Sequence, residues 1–242
     1  MRDILVTGGS SGLGCFLCRA FAAGGNRLVI HYHTNREGAE EAMEEAGGPP
    51  RALTYGADVT SREDVDGMAR WVGEELGGLD VLVNNAGVAA DGFVASLTGE
   101  AWQDVIGVCL TGAFQCMRAF APLIAARGGG HIINIASMIG VAGQAGASNY
   151  AAAKAGLIGL TRSAARELAA MNIKVNAVLP GWMPVGMGLD IPADVTERIL
   201  SDNVLGRTSD PSEVARLARF VSTLENVSGQ VFNADSRIFR GF

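Results

Sequence analysis

Charged residues are scarce in this sequence of 242 residues, where Asp, Glu, Lys and Arg together make up only 18%. Intrinsic disorder requires a polar, highly charged composition, so this scarcity predicts a folded chain. Acidic residues outnumber basic ones by 25 to 19, which gives a formal net charge of −6. Because nucleic acids bind basic surfaces, the balance argues against nucleic acid as a partner.

Long uncharged apolar runs are also missing. No window of about 18 uncharged apolar residues is present, so the sequence predicts no membrane span. The first residues, Met1–Val6, run directly into a strand-like segment without the apolar stretch and cleavage site of a signal peptide. We therefore expect a cytoplasmic protein.

Cysteine occurs at only four positions, and their spacing does not favour a metal site. Cys15 and Cys18 have C-x-x-C spacing, but no second pair of ligands accompanies them. They follow a glycine-rich turn inside an apolar helix face, which favours buried structural thiols. The sequence predicts no metal; a metal or redox role for this pair is the alternative.

No long linker rich in Pro or Ser divides the chain, which predicts one domain over residues 1–242. The irregular segment is Pro180–Asp194, which contains three prolines and three glycines. Loops of this length are usually functional. We expect a substrate loop over residues 180–206.

Short apolar runs alternate with longer helical patterns along the chain, and this alternation predicts the fold. Runs that are apolar on both faces indicate buried strands, and segments with one apolar stripe indicate helices. Repeated β–α alternation predicts an α/β fold: a Rossmann-type, doubly wound parallel sheet of about seven strands with helices on both faces. The predicted strands are Ile4–Thr7, Leu28–His31, Leu53–Tyr55, Val81–Val83, Ile132–Ile135, Val175–Val178 and Gln230–Asn233, and the predicted helices are Leu13–Ala23, Arg36–Ala46, Glu63–Leu76, Trp102–Ala126 and Tyr150–Ala170.

A glycine-rich turn, Thr7–Gly14, follows the first strand and opens the first helix. In a dinucleotide-binding fold, glycines at this point let the backbone approach a pyrophosphate, and the helix N-terminus supplies free N–H groups. A glycine cluster alone can be an ordinary turn, but its place at the first β–α junction favours cofactor binding. The candidate contacts are Gly8, Ser10, Ser11, Gly12, Leu13 and Gly14.

The end of the second strand indicates which nicotinamide cofactor binds. Sites that prefer NAD usually carry an acid here, whereas this chain has Tyr32, followed by His33, Thr34, Asn35 and Arg36. Arg36 can pair with a 2′-phosphate, and His33 and Asn35 are candidate contacts beside it. The sequence therefore predicts NADPH rather than NADH; the alternative is that Arg36 is simply solvated.

With these features, the chain resembles the short-chain dehydrogenase/reductase superfamily over essentially its whole length. Thr7–Gly14 matches the family's Thr-Gly-x-x-x-Gly-x-Gly turn, and Asn84–Gly87 matches its motif at a strand end. Ser137 precedes Tyr150–Lys154 by the family's usual interval, and Pro180-Gly181 follows Asn176 as in relatives. The resemblance implies further cofactor contacts from Asp58, Val59, Asn85, Ala86, Gly87, Tyr150, Lys154, Pro180 and Gly181.

The resemblance also makes Ser137, Tyr150 and Lys154 the catalytic residues. Tyr150 and Lys154 are four residues apart, so on a helix both side chains face the same way. A free phenol has a pKa of about 10, and a nearby ammonium lowers that value. Tyr150 is then the acid that protonates a substrate oxygen, and Ser137 hydrogen-bonds that oxygen. Lys154 also holds the nicotinamide ribose, as the resemblance implies.

The chain departs from the family pattern at two positions of the site. Cys109 stands where many relatives have an asparagine that is thought to organise water reaching the lysine, and a thiol is a weak donor and acceptor. Val185 stands where relatives often carry a threonine that touches the nicotinamide amide. At the C-terminus, Asn233–Arg237 replaces a Gly-Gly turn, which affects assembly or substrate shape.

Within the superfamily, the chain looks closest to 3-oxoacyl-acyl-carrier-protein reductases. This implies an NADPH-dependent ketoreductase acting on a β-ketoacyl thioester, an acyl carrier protein as partner, and a homotetramer built partly from the two longest predicted helices. Alternatives are a coenzyme A thioester, a small free ketone, or a weakly active partner subunit that binds cofactor. A basic patch for an acidic carrier is predicted from Arg127, Arg166 and Lys174, although Gly128 and Met171 replace arginines of carrier-binding relatives.

Overall fold

The computed structural model describes residues 1–189 and 193–238. At its centre is a seven-stranded sheet in the order β3-β2-β1-β4-β5-β6-β7, in which every neighbouring pair is parallel. The predicted α/β fold with a doubly wound parallel sheet is confirmed. The strands are β1 Asp3–Val6, β2 Arg27–Tyr32, β3 Ala52–Gly56, β4 Val81–Asn84, β5 Gly130–Ile135, β6 Ile173–Pro180 and β7 Val231–Ala234.

Helices fill the connections between the strands and cover both faces of the sheet. They are α1 Leu13–Ala22, α2 Arg36–Glu45, α3 Arg62–Leu76, α4 Gly99–Ile106, α5 Ala113–Ala125, α6 Ile139–Ala142, α7 Ser148–Glu167, α8 Ala193–Ser201 and α9 Pro211–Val221. The predicted helix Trp102–Ala126 is divided, because a π-helical stretch, Gly107–Gly112, joins α4 to α5. Helices α6, α8 and α9 were not predicted.

The core explains why the strands are apolar along their whole length. Leu5 points to one face of the sheet, where α3, α5 and α7 supply side chains such as Phe120. Its neighbours Ile4 and Val6 point to the other face, where α1, α2 and α9 supply side chains such as Phe21. Successive residues of a strand alternate between faces, so covering both faces requires continuous apolar runs.

The helical stretch Gly99–Ala125 is long and apolar enough to cross a membrane, if only length and composition are considered. Half of its apolar window is buried inside the structure. Helix α5 packs on α3 and on strands β4, β5 and β6. A core helix has the same composition, so this finding is weak evidence for a membrane.

The strand order reverses between β1 and β4, which places a crevice at the carboxyl ends of these neighbouring strands. The glycine-rich turn follows β1, and Asn85–Gly87 follows β4. Ser137 follows β5, and Gly181 follows β6. The topology therefore brings four predicted segments to one edge of the sheet.

Candidate active site

A cavity of about 270 Å³ opens at this carboxyl edge. Residues from the four segments and from α7 line it together. The predicted site residues among its lining are Gly8, Ser11, Gly12, Leu13, Asn85, Ala86, Gly87, Ser137, Tyr150, Lys154, Pro180, Gly181 and Val185.

The glycine-rich turn has no room for a side chain at Gly14, and it leaves the start of α1 without a side-chain cap. A Cβ on Gly14 would lie 2.0 Å from the carbonyl oxygen of Gly8, and Gly8 itself has a φ of +61°. Helices α2, α3, α4 and α9 each begin at a polar side chain that accepts a backbone N–H, whereas α1 begins at Gly12 with no side-chain cap among the described residues. Free N–H groups beside a close backbone fit the pyrophosphate of a dinucleotide cofactor.

Thr7 and Asn85 fasten this turn to the end of β4. The Thr7 hydroxyl oxygen accepts hydrogen bonds from the backbone N–H groups of Asn85 at 2.9 Å and Ala86 at 3.0 Å. The Asn85 amide donates to the carbonyl oxygens of Thr7 and Gly8, both at 3.0 Å. Asn85 was predicted as a cofactor contact; the structure shows that it also braces the turn.

Other predicted cofactor residues lie outside the cavity lining. Asn35 caps α2 by accepting the N–H of Gly38 at 3.1 Å, and its amide donates to the Ser10 carbonyl oxygen at 2.9 Å. Arg36 is exposed and pairs with Glu40 at 2.7 Å. His33 is exposed as well, Asp58 caps its own turn by accepting from Thr60, Val59 is buried in the core, and Gly14 lies within α1.

Tyr150, Lys154 and Ser137 meet inside the cavity. Tyr150 and Lys154 lie on the first two turns of α7, and the Lys154 Nζ is 5.4 Å from the centre of the Tyr150 ring. The lysine is buried, and its ammonium donates to the Ile135 carbonyl oxygen at the end of β5 at 2.8 Å. The predicted i, i+4 geometry is therefore present, with the ammonium fixed to the sheet.

The electrostatics of Tyr150 differ from the prediction. Burial raises the pKa of this phenol above its usual value. The Lys154 ammonium lowers the pKa, as predicted, and the Ser137 hydroxyl lowers it too, but together they do not outweigh burial. The phenol is therefore protonated at neutral pH, as a proton donor must be.

Cys109 lies in the π-helical stretch and faces α7. Its side chain is buried and packs in a cluster with Val105 and Ala153. The partly buried Tyr150 packs against this cluster. The thiol donates to the Val88 carbonyl oxygen at 3.4 Å. A π-helical turn is frequent at functional sites.

The remaining thiols are packing groups. Burial raises the pKa of Cys15 and Cys18, and it raises the pKa of Cys116 to about 12. Thiols with raised pKa values are poor nucleophiles and metal ligands. Among residues 1–189 and 193–238, no group of three or more His, Cys, Asp or Glu side chains could hold a metal ion.

Two of the three residues predicted to form a basic patch for a carrier protein, Arg127 and Lys174, have internal partners. Arg127 bonds internally to Asp3 at 2.8 Å, and Lys174 is buried and bonds to Glu225 at 2.6 Å. Both residues lie at the amino ends of strands β5 and β6, and Arg166 lies in the last turn of α7. All three are on the edge of the sheet opposite the cavity.

Asn149 and Arg237 are among the side chains near the site that were not predicted. Asn149 is fully buried, and its amide donates to the carbonyl oxygens of Ala90 at 2.9 Å and Ala101 at 3.1 Å. Arg237 lines the cavity and pairs with the buried carboxylate of Asp235. The sequence signal for Asn149 was its place beside Tyr150; that for Arg237 was the unusual C-terminal segment.

Comparison with known proteins places this site in a family. A family model described as short chain dehydrogenase matches residues 2–195. The chain belongs to this family. Its members' chemistry makes it an NAD(P)H-dependent oxidoreductase acting on carbonyl or CH–OH groups, with the fold predicted from the sequence.

Relatives of the ketoreductase type cover nearly all of the chain. It is 42% identical over 224 residues to an acetoacetyl-CoA reductase of Rhizobium meliloti, an alignment that covers 92% of this chain and 91% of that protein. It is 38% identical to a 3-oxoacyl-[acyl-carrier-protein] reductase of Thermotoga maritima, with 96% and 95% covered. These similarities support ketoreduction as the reaction type.

Solved structures show the same likeness. A variant of actinorhodin polyketide ketoreductase with NADPH superposes with a TM-score of 0.89 at 32% identity, covering 97% of this chain and 96% of that one. A crystal structure of a putative short-chain alcohol dehydrogenase from Sinorhizobium meliloti gives a TM-score of 0.90 at 33% identity, with 97% and 95% covered.

Proposed function

We propose that this enzyme is an NADPH-dependent ketoreductase that reduces a β-ketoacyl thioester to the β-hydroxyacyl form. The observation that carries the proposal is the meeting of Ser137, Tyr150 and Lys154 in one cavity with the uncapped glycine-rich turn. The turn and α1 hold the cofactor's pyrophosphate, and α7 presents the proton donor.

Each of the three side chains has a separate task. When bound, the nicotinamide cofactor supplies a hydride to the carbonyl carbon. Tyr150 donates its proton to the substrate oxygen as negative charge develops there, which its raised pKa permits. The Ser137 hydroxyl hydrogen-bonds the same oxygen, and Lys154 would hold the ribose while its ammonium lowers the pKa of the phenol. Cys109 belongs to the buried cluster against which Tyr150 packs, and it takes the place of the family's asparagine.

The preference for NADPH rests on the segment after β2. Arg36 is the first residue of α2, its side chain is 74% exposed, and its only described partner is Glu40. An exposed ion pair of this kind contributes little to the free energy of folding, so the guanidinium of Arg36 can leave Glu40 and bind a 2′-phosphate. We propose that His33, Asn35 and Arg36 surround this group, while Asp58 and Val59 contact the adenine.

The cavity lining and the relatives support a β-ketoacyl thioester as the substrate class. The cavity that contains Tyr150 is also lined by Met183, Met187 and Ile199, which suit an acyl chain. The named relatives act on acetoacetyl-CoA or on 3-oxoacyl groups of a carrier protein. We propose that the acyl group is carried by an acyl carrier protein or by coenzyme A, which binds at the cavity mouth.

We also propose that the enzyme is a cytoplasmic homotetramer and that each chain forms one domain. Its substrate loop covers residues 180–206, of which residues 190–192 lie outside the described part.

A substrate panel tests the proposal. NADPH oxidation is measured with acetoacetyl-CoA, an acetoacetyl group on a carrier protein, and free ethyl acetoacetate. We expect the highest kcat/KM on one of the two thioesters. Higher kcat/KM on the free ester favours a dehydrogenase of small ketones, and no turnover with retained NADPH binding favours a partner subunit.

A second comparison tests the cofactor preference. In Arg36→Ala, the KM for NADPH should rise about tenfold, as expected for one lost charge-assisted hydrogen bond, and the KM for NADH should stay unchanged. Arg62→Ala, another exposed arginine in the first turn of a helix, is the matched control. An unchanged KM for NADPH in Arg36→Ala would contradict the assignment.

A further inference from the structure

One buried histidine, His31, lies directly beneath the glycine-rich turn. It is the fifth residue of β2, and its side chain is 1% exposed. Strand β2 pairs with β1 up to Ile30 opposite Val6, so His31 lies where β1 gives way to the turn. The backbone reinforces this position, because the Gly9 N–H donates to the His31 carbonyl oxygen at 2.9 Å.

Both ring nitrogens of His31 have backbone partners. The Gly8 N–H donates to Nδ1 at 3.0 Å, and Nε2 lies 2.9 Å from the Ala57 carbonyl oxygen. An N–H can only donate and a carbonyl oxygen can only accept, so Nδ1 must be bare and Nε2 must carry the proton. A single neutral tautomer satisfies both contacts.

The contact with Nδ1 holds the backbone N–H of Gly8. The carbonyl group of Gly8 is held by Asn85, whose side-chain amide donates to the carbonyl oxygen at 3.0 Å. Gly8 has a φ of +61°, and a Cβ there would lie 3.0 Å from the backbone of Ala86. Two side chains, one on β2 and one directly after β4, therefore fix a backbone conformation that lines the proposed cofactor cavity.

We propose that His31 is a positioning residue for the cofactor: its bare Nδ1 holds the Gly8 N–H, and its Nε2–H holds the Ala57 carbonyl, so that the glycine-rich turn is already in the shape that receives a pyrophosphate. The inference rests on the proposed dinucleotide site. Rigid preparation of a site lowers the free-energy cost of binding, so His31 affects cofactor affinity more than the chemical step.

The surroundings keep the ring neutral. Burial has the largest effect and lowers the pKa of the ring; the hydrogen bond with the Ala57 carbonyl oxygen raises it, His33 lowers it and Asp58 raises it. A proton on Nδ1 would face the Gly8 N–H and remove the acceptor. The turn therefore keeps its shape throughout the neutral pH range.

Three substitutions separate the two contacts. In His31→Asn, the side-chain oxygen can reach the position of Nδ1 and keep the Gly8 contact; in His31→Gln, the longer amide reaches Ala57 instead; His31→Leu keeps neither. The matched control is His131→Gln, which changes another buried histidine at the amino end of β5. The Kd of NADPH is measured by fluorescence titration, and kcat is measured at saturating cofactor.

We expect the Kd to rise about tenfold in His31→Gln and His31→Leu, as for one lost hydrogen bond, with kcat little changed. His31→Asn should stay within about threefold of the wild type, and His131→Gln should bind normally. Equal Kd values in His31→Gln and the wild type, or equal weakening in His31→Asn and His31→Gln, would overturn the inference. If the wild type bound neither NADPH nor NADH, the proposed function itself would fail.

A measurement on the unaltered protein covers the case in which a variant does not fold. Nitrogen-15 chemical shifts of histidine rings distinguish the two neutral tautomers and the charged ring. We expect the Nε2–H tautomer for His31 at pH 7. The Nδ1–H tautomer or a charged ring would be incompatible with the Gly8 contact and would overturn the inference.

Discussion

Tyr150 shows how a single residue's chemistry depends on competing influences. The sequence was sufficient to predict its neighbours, because Lys154 lies one helical turn away and Ser137 occurs at the family's interval. The sequence could not predict whether burial or these neighbours have the larger effect on the pKa of Tyr150. The extent of burial depends on how α7 packs against the sheet and the loop before it. Burial dominates, so the phenol is a stable acid rather than a phenolate in the absence of ligand.

Replacing Lys154 should move the pH dependence of the reverse reaction. In Lys154→Met, the ammonium that lowers the pKa of Tyr150 is lost, so a higher pH is needed to ionise the phenol. The rate of alcohol oxidation should therefore begin to rise at higher pH than in the wild type. Lys174→Met, which changes the chain's only other lysine on the opposite edge of the sheet, should leave the pH profile in place. Identical profiles for Lys154→Met and the wild type would contradict this account.

Cys109 can be tested by restoring the family's residue. Its thiol makes one long contact with the Val88 carbonyl oxygen, which an asparagine amide can replace. In Cys109→Asn we expect kcat to be maintained or raised, because an amide organises water better than a thiol. A severe loss of kcat in a folded Cys109→Asn protein would show that the thiol has a role of its own.

The stability of the protein should respond to the titration of His31. Burial lowers the pKa of this ring from 6.5 to about 4, so below pH 6.5 the unfolded chain binds a proton that the folded chain does not. The neutral ring's contribution is complete above pH 6.5 and is lost as the pH falls toward 4. The Tm of the wild type should therefore fall more steeply between pH 6.5 and 4.5 than that of His31→Asn. The difference in Tm between the two proteins should therefore become gradually smaller as the pH is lowered. Parallel Tm curves would contradict this expectation.

At the scale of elements, the strands were predictable and some helices were not. Strands that are covered on both faces have continuous apolar sequences, such as those of β1 and β4. Such runs can be recognised in the sequence without knowledge of the tertiary structure. The break in Gly99–Ala125 depends on a change from α to π hydrogen bonding, for which apolar spacing gives no sign. Helix α9 was missed although Asp210 and Pro211 form a recognisable helix start.

The start of α7 is fixed by Asn149 more than by its own helix propensity. Its amide joins the loop after β4 to the end of the first turn of α4, and its oxygen accepts the Tyr150 N–H at 2.8 Å. In Asn149→Ala these buried groups lose their partners, so the free energy of unfolding should fall by about 1–3 kcal/mol and kcat should fall with it. Thermal and denaturant unfolding measure this, with the exposed Gln103→Ala on α4 as the control. Unchanged stability and kcat would show that α7 is held by other contacts.

At the scale of the whole molecule, the strand order explains why distant residues form one site. Residues 8, 85, 137 and 181 follow four strands whose carboxyl ends meet at one edge, so their convergence followed from the predicted topology. The residues predicted to form the basic patch lie away from this edge for the same geometrical reason. Arg127 and Lys174 precede or begin strands β5 and β6, and such positions lie at the opposite edge. Charge alone, without topology, did not reveal that these residues have internal partners.

The most direct test of the account is the rate of NADPH oxidation with a saturating β-ketoacyl thioester in the wild type and in Tyr150→Phe, with Tyr55→Phe as the control. Tyr55 packs on Trp71 away from the cavity, so its variant should keep the wild-type rate. Tyr150→Phe should lose about 100-fold or more in kcat while binding NADPH normally, because only the proton donor is removed. A Tyr150→Phe enzyme that turns over at the wild-type rate would contradict the central claim that this phenol protonates the substrate.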